Sequence, residues 1–600
     1  MKKIKIIFSL IFFAALFLFS CNDEFLERYP LDEISNETFW NTEADLKVYN
    51  NRLYHLTYLN DQINVCHRGN TITRMTKSNW ADTHAASDYS NFRWYVWRRS
   101  GKMPPQTTGR PGGWKDWGLV REINVGLQNY HKADLPERVI NQYAAEARFF
   151  RAWFYSDKSQ LFGDVPWIGK PLNIDSEELF GPRMPREQAM DSVLADINFA
   201  VEHLPEHWPD AASPSTSSRF NQWHALLLKS WICLFEGTHR KYHGGTNPDF
   251  WLQEAANAAK HVIDYGPYQI YSTGDSLNDY REMFANETTI KLWNNPEVMY
   301  WREYIAGERS TSNHMMQTYW HHYGGGTKSL VDDYLMIDGK PPITTEGVNP
   351  LYMGDDEIED VFTNRDPRMR QTLLQPADVE RYRHFQHMPH PQFVGTAAWK
   401  KTTTGYHTIK FFNREMIDRT WGEIDQPAVI MRYAEVLLNY VEARAELGVI
   451  TQEDLDITIN KLRDRVKMPH LKLDDVPVDP RYTDVSPIIA EIRRERKIEL
   501  AFEGFRIYDL FRWKWGHLLR NPDMGLRFDD RARERYPEAT VQSSIIKDPI
   551  TGEMKEYVDI YKGTQYADPV FEDDKHYLFS LPLNDLSENP NLKQNPGWEF

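Results

Sequence analysis

Cysteine is scarce, with three in 600 residues, which excludes a disulfide framework and an all-cysteine zinc site, since either uses about four or more. Beyond the N-terminus no run approaches the roughly 18 apolar residues that a membrane-crossing helix needs. A basic excess is also missing. The 70 Lys and Arg face 86 Asp and Glu, a formal charge of −16, and without blocks of cations to neutralise phosphates the chain is not a general nucleic-acid binder. No G-x-S-x-G elbow, H-E-x-x-H, P-loop or helix-opening G-x-G-x-x-G occurs, so none of the common catalytic signatures applies, and the expectation is a protein that is not an enzyme and has no cofactor. Neither Gly nor Pro, at 32 and 34, is frequent enough for a collagen-like or largely disordered chain. What is abundant is aromatic side chains: 20 Trp, 31 Tyr and 30 Phe.

The N-terminus reads as an export address. Lys2, Lys3 and Lys5 precede an apolar run from Ile6 to Phe19, and Ser20 stands before Cys21; basic, apolar and small-residue parts in this order make a signal peptide over residues 1–20. Leu18-Phe19-Ser20-Cys21 resembles a bacterial lipobox, which makes Cys21 the lipidated first residue of the mature chain and the lipid its membrane anchor. Asn22-Asp23-Glu24 resembles the acidic surface-export signal of Bacteroidota lipoproteins. Of the other thiols, Cys233 lies in Trp231-Ile232-Cys233-Leu234-Phe235 and reads as a buried free thiol rather than the partner of Cys66.

The body reads as mainly α. Tyr143, Ala147, Phe150 and Phe154 fall on one helical stripe, and Ala225 to Phe235 and Trp251 to Ile263 continue the pattern, the latter stopped by Gly266-Pro267. Pro427 is expected to open a helix with a stripe of Ile430, Tyr433, Ala434, Leu437, Val441 and Ala445 that stops at Gly448, and Ser486-Pro487 to open another running to about Gly504. These pairs have roughly tetratricopeptide dimensions, without a strict repeat of about 34 residues. The expected organisation is an N-terminal helical region over 22–265 and a C-terminal region over 266–600. The second carries an irregular insertion at 268–425 and scaffold helices over about 427–515. Residues 65–115 are similarly irregular, and such stretches on a helical scaffold are usually binding loops or small sheets.

Glu491, Glu495, Glu499 and Glu503 recur every four residues, which stacks like charges on a helix. With Arg493, Arg494, Arg496 and Lys497 interleaved and no Glu-x-x-His pair, an ion-pair lattice between packed helices is favoured over a metal or acid–base cluster. His314, His321 and His322 read as loop histidines rather than metal ligands, and Gly324-Gly325-Gly326 lacks a following Lys-Ser/Thr pair in the spacing of a phosphate loop. The aromatic loops are the better lead. Trp80, Trp94, Trp97, Trp114 and Trp117 crowd one irregular stretch, and Trp293, Trp301, Trp320 and Tyr323 another. Indole and phenol faces stack on sugar rings while Asp82, Arg98 and Arg302 satisfy hydroxyls. The ligand-binding candidates are therefore Trp80, Asp82, Trp94, Trp97, Arg98, Trp301, Arg302, Trp320 and Tyr323. For any single tryptophan, packing competes with binding. The rival reading is a lipid-anchored glycoside hydrolase, with Asp82 or Asp88 set against Glu303 or Glu308.

Several segments together resemble the SusD/RagB family of outer-membrane nutrient-binding lipoproteins. They begin at Cys21-Asn22-Asp23-Glu24-Phe25-Leu26-Glu27 and include Ala145-Glu146-Ala147-Arg148-Phe149-Phe150-Arg151-Ala152 with Phe162-Gly163-Asp164-Val165-Pro166. Met431-Arg432-Tyr433-Ala434-Glu435, Ile492 to Gly504, Arg506 with Asp509-Leu510 and Arg512-Trp513, and Asn589 to Trp598 follow in order. The resemblance implies a tetratricopeptide-like superhelix carrying loops, lipid-anchored on the exterior of the outer membrane. It also implies a lid and receptor role on a SusC-like TonB-dependent barrel that imports oligosaccharides, or in some members peptides.

Overall fold

The computed structural model describes residues 39–54, 78, 80–85, 113–209, 219–285, 292–303, 324–381, 390–393, 401–416, 426–564 and 566–599. The signal peptide and Cys21 lie outside them, as do Cys66, Trp94, Trp97, Arg98, Trp320 and Tyr323. Among the described residues nine helices form the scaffold: α1 (Glu43–Asn51), α2 (Gly118–Asn129), α3 (Glu137–Phe162), α4 (Arg186–His203), α5 (Gln222–His243), α6 (Pro248–Tyr265), α7 (Tyr433–Glu446), α8 (Pro487–Glu499) and α9 (Arg506–Arg512). From α2 to α8 each packs on the next, the stacked-pair arrangement of a helical-repeat superhelix. One hydrophobic core runs through it from Trp40 to Trp598.

Local chemistry sets the helix ends. Asn221 caps α5, its side chain accepting from the His224 N–H while the Asn221 N–H donates to His224 Nδ1, and Gly244 ends the helix at φ 89°. Pro248 opens α6, and Gly266 closes it where the Gly266-Pro267 signal lies. The α3 stripe of Tyr143, Ala147, Phe150 and Phe154 is fully buried. Close approach of α5 to α6 rests on Gly237, where a Cβ would meet the Leu252 backbone nitrogen at 2.9 Å.

Two helix boundaries differ from expectation. Residues 428–432 are a strand, because Val429 and Ile430 are β-branched and pair with another segment; the helix begins only at Tyr433, where the Glu435 carboxylate takes the Arg432 N–H. The later helix stops at Glu499, followed by Phe502 at φ 64° and Gly504 at φ 86°, so Glu503 stands in the turn and off the helical row. The region expected to be irregular holds short helices at Asp279–Ala285, Lys328–Asp333, Ile358–Phe362 and Pro367–Thr372.

Strands are few. β1 (His84–Ala85) pairs with β3 (Gly325–Gly326), and β2 (Val298–Arg302) with β4 (Ala428–Arg432), all antiparallel. β5 (Met524–Arg527), β6 (Ser543–Lys547) and β7 (Met554–Asp559) form a sheet in the order β5-β7-β6.

Candidate ligand-binding face

The two aromatic-rich stretches share one anchorage. In the β1–β3 ladder Ala85 stands opposite Gly325 and His84 opposite Gly326. The chain thus enters the first stretch and leaves the second at hydrogen-bonded neighbours. A third segment joins them: the Gly326 N–H donates to Tyr406 O at 3.0 Å, and Phe393 bridges Thr402. The glycines are required by this crossing. A Cβ on Gly325 would lie 2.2 Å from Thr404 Oγ1, and one on Gly324 would lie 2.5 Å from the His84 ring. Close backbone packing, not phosphate binding, accounts for the Gly-Gly-Gly run.

Asp82 fixes this foot to the scaffold. Arg506 donates to its two oxygens at 2.8 and 2.9 Å, and Lys497 of α8 adds a contact at 3.1 Å. Thr327 then ties β3 to β1, its N–H donating to Thr83 O at 3.1 Å and its hydroxyl to Asp82 O. Burial raises the cost of the Asp82 charge, but the Arg506 and Lys497 cations outweigh it and hold the carboxyl well below the usual carboxylate range. Asp82 is 4% exposed. This corrects its expected part in satisfying sugar hydroxyls, because its lone pairs are committed to the frame. A general acid would need a raised pKa, so Asp82 does not fit that part of the hydrolase reading either. Asp88 and Glu308 lie outside the described residues.

Trp80 is 3% exposed and packs against Phe579, ring centroids 5.3 Å apart; its faces serve packing, the competing fate of any tryptophan here. Trp114 and Trp117 do the same against Phe162 and Phe154. Trp301 and Arg302 differ. They stand at the end of β2, opposite Val429 and Ala428, both half-buried, with Glu303 exposed beyond them. Among the described candidates these two remain at a surface. His224 of α5 locks the same strand by donating Nε2–H to Met299 O at 2.7 Å, while its Nδ1 accepts the cap.

Behind this face the carboxylate row forms the ion-pair lattice that the interleaved cations predict. Glu499 meets Arg368, Arg432 and Arg465 at 3.0, 2.7 and 2.7 Å; Glu495 meets Arg463 at 3.1 Å and Glu491 meets Arg494 at 3.0 Å. Arg432 also pairs with Glu297 at 2.9 Å and Glu503 at 2.7 Å. Burial disfavours the Glu499 charge, but its three guanidinium partners pull its pKa well below the ordinary range. Lys410, wholly buried against Glu503, is pushed down to about 8 by desolvation. Arg493 lies 4.4 Å from the rings of both Trp513 and Trp515. Of the arginine partners from outside α8, Arg368, Arg463 and Arg465 carry no periodic signal in the sequence. Neither do the threonines that tie the loop feet. Cys233 is a buried free thiol whose ionisation burial pushes up. Among the described residues no group of three or more His, Cys, Asp or Glu could hold a metal, and no helix is long and apolar enough to cross a membrane.

The described scaffold is a helical-repeat superhelix in which the segment before one aromatic-rich stretch pairs with the segment after the other. Residues 291–598 match the sequence profile of the SusD family, and the chain belongs to it. It is similar to SusD-like protein P2 of Formosa agariphila, 24% identical over the whole of both chains, and to SusD-like protein P38 of the same organism, 23% identical over 88% of this chain and 95% of the relative. Among solved structures it resembles a SusD-like carbohydrate binding protein of Bacteroides fragilis (TM-score 0.69, 20% identity, 93% of this chain and all of that one). A laminarin binding SusD-like protein shares the fold as well (TM-score 0.57, 18% identity, 93% of this chain and all of that one).

Proposed function

We propose that this protein is a surface glycan receptor. In this reading Cys21 carries the lipid, the mature chain stands on the exterior of the outer membrane, and it acts as lid and receptor for a SusC-like TonB-dependent barrel that imports oligosaccharides. The observation that supports the binding half is the β1–β3 ladder, which sets Ala85, ahead of the stretch holding Trp94, Trp97 and Arg98, beside Gly325, just after the stretch holding Trp320 and Tyr323. Trp301 and Arg302 supply a half-exposed ring and cation at the end of β2. Membership of the SusD family and the carbohydrate ligands named for two fold relatives support the substrate class. Binding rather than turnover fits the ion-paired Asp82. Closure of the lid would be a population shift, driven by ligand contacts that favour the closed state.

Calorimetry against a panel of neutral and charged oligosaccharides tests the proposal. Saturable heat with at least one glycan and no release of reducing ends is expected. Heat with peptides but with no glycan would overturn the substrate class, and reducing-end release would promote the hydrolase. Copurification of a large barrel protein from the native membrane tests the partner, and labelling of Cys21 by a fatty-acid analogue tests the anchor.

A further inference from the structure

A cavity of about 890 Å³, counted to its open mouth, lies where the C-terminal segment 573–596 meets the end of α3, the start of α4 and the last turns of α5, and no residue of β1 to β4 lines it. Its charges balance in number but not in contact. Arg183, Arg186 and Lys575 line it together with Asp164, Asp573 and Asp574. The two imidazoles of the lining, His239 and His243, are neutral. Desolvation holds the first well below its ordinary range, with the Arg186 cation adding to the effect, and brings the second down to about 4. Two of the six charges are used internally, Arg186 on Glu236 at 2.7 Å and Asp573 on Arg520 at 3.1 Å. The other four make no ion pair among the described residues.

Each of these four has open hydrogen-bonding capacity. Arg183 directs Nη1 at the carbonyls of Phe162 and Asp164, both at 3.2 Å, and at Asn595 Oδ1 at 2.8 Å, and Nη2 at Lys593 O at 2.8 Å; its Nε–H has no acceptor among the described residues. Desolvation lowers the Arg183 pKa although the Asp164 charge opposes it, which marks a cation short of a counter-ion. Asp164 accepts the Arg186 N–H on Oδ1 at 2.8 Å and keeps Oδ2 open. Lys575 sets its ammonium 4.6 Å from the Trp598 ring centre and donates to no acceptor among the described residues, and the exposed Asp574 carboxylate likewise has no partner there. Neither ring nitrogen of His239 is hydrogen-bonded and neither is sealed inside the protein, so both are open to the cavity that the residue lines. His243 donates Nε2–H to Phe511 O at 2.7 Å, which leaves Nδ1 as an acceptor.

Ligands of different charge meet this lining differently. An anion answers Arg183 and Lys575 but faces Asp164 and Asp574; a cation meets the reverse. A neutral polyol displaces water from four formal charges and neutralises none. A ligand that carries both signs compensates both pairs, its carboxylate accepting from Arg183 and Lys575 and its ammonium donating to Asp164 and Asp574. Exposed charges such as Asp574 add little, so the half-buried Arg183, Lys575 and Asp164 carry most of the selection.

We propose that this cavity binds a small zwitterion with a free ammonium and a free carboxylate, a free α-amino acid or a dipeptide. It does not rest on the glycan reading of the loop face.

Titration calorimetry on the full-length protein in detergent near neutral pH provides the test. The probes are alanine and dialanine, each beside its N-acetyl form, which is only an anion, its amide, which is only a cation, and its neutral N-acetyl amide. At least one zwitterion is expected to saturate with an affinity roughly tenfold or more above each of its blocked forms. Lys575→Met, which keeps the aliphatic stem, is expected to narrow the gap between zwitterion and amide by about fivefold. Asp164→Asn, whose Oδ1 still accepts the Arg186 N–H, is expected to narrow the gap between zwitterion and N-acetyl form by about as much. A response to alanine identifies a free amino acid as the source; a response to dialanine only identifies a peptide. No saturation with either zwitterion overturns the proposal, as does equal affinity for a zwitterion and any blocked form, or a wild-type pattern in both variants. If a variant fails to fold by its melting curve, Asp574→Asn, at an exposed and unpartnered carboxylate, takes its place with the same expected direction. Oligosaccharide affinity is expected to be unchanged in Lys575→Met, and peptide heat that survives this change belongs to the loop face, so failure here and failure of the glycan reading are told apart.

Discussion

Helix α8 and the end of β2 handle charge in opposite ways. Along α8 every charged side chain from Glu491 to Glu499 is buried, each within a network of ion pairs that reaches α7, α9 and the segment around Arg368. At the end of β2, Trp301 and Arg302 are half-buried and Glu303 is exposed. The difference separates what holds the molecule together from what is left accessible to a ligand. Removing one partner from a buried ionic network leaves several desolvated charges uncompensated, so substitution there is severely restricted. A residue at a surface carries no such debt and is free to follow the ligand. The densest and most recognisable motifs of the chain therefore mark its architecture, and the candidate ligand residues Trp301 and Arg302 lie outside the buried network.

The largest effect that follows is at Arg432. Arg432→Ala strips charge compensation from Glu297, Glu499 and Glu503 together, and a loss of about 3–5 kcal/mol in urea unfolding is expected. Arg302→Ala should cost no more than about 0.5 kcal/mol. Equal losses at the two positions would break the comparison. Next comes Gly325→Ala, where the added methyl meets Thr404 Oγ1 at 2.2 Å and Tyr406 O at 2.6 Å. Overpacking of this kind costs about 1–3 kcal/mol, and because it pushes β3 off the 402–406 segment that packs on the loop feet, glycan affinity should fall with stability. Unchanged stability would mean that the loop feet are not packed as described.

A third expectation links pH to the joint between α5 and β2. His224 is fully buried and neutral, its pKa pushed down to about 4 by desolvation against a favourable bond to Met299 O. In the unfolded chain it titrates near 6.5. The unfolded state therefore binds the extra proton first, and stability is lost as pH falls from about 6.5 toward 4. Between pH 7 and 5 this group alone should remove about 2 kcal/mol, read as a fall in unfolding free energy. His224→Asn, which keeps a cap-like side chain without a titrating ring, should flatten that slope; an unchanged slope would place the titration elsewhere.

Much of the fold was readable from residue spacing. The Tyr143 to Phe154 stripe, the Gly266 and Gly448 stops and the Glu/Arg alternation on α8 are local patterns with local causes, and each has its counterpart in the structure. The error at Ile430 has the opposite origin. Its strand exists because Val298–Arg302 lies alongside, a tertiary neighbour that overrides helical spacing. Trp80 and Asp82 depart from expectation for the same reason. Nothing near them in sequence announces Phe579, Lys497 or Arg506.

The finest test of the comparison is Trp301→Ala. The ring is half-buried at the edge of the core, so part of its area is already in water and its removal should cost far less stability than Arg432→Ala. Its loss should instead appear in binding. An aromatic face stacked on a ring partner contributes about 0.5–1.5 kcal/mol, so glycan affinity should weaken by up to about tenfold, with Trp301→Phe recovering most of it. Calorimetry and urea unfolding on the same three proteins resolve the two contributions. A stability loss that matched the Arg432 variant, with affinity untouched, would place Trp301 with the scaffold and shift the ligand face onto the stretches that hold Trp94, Trp97 and Trp320.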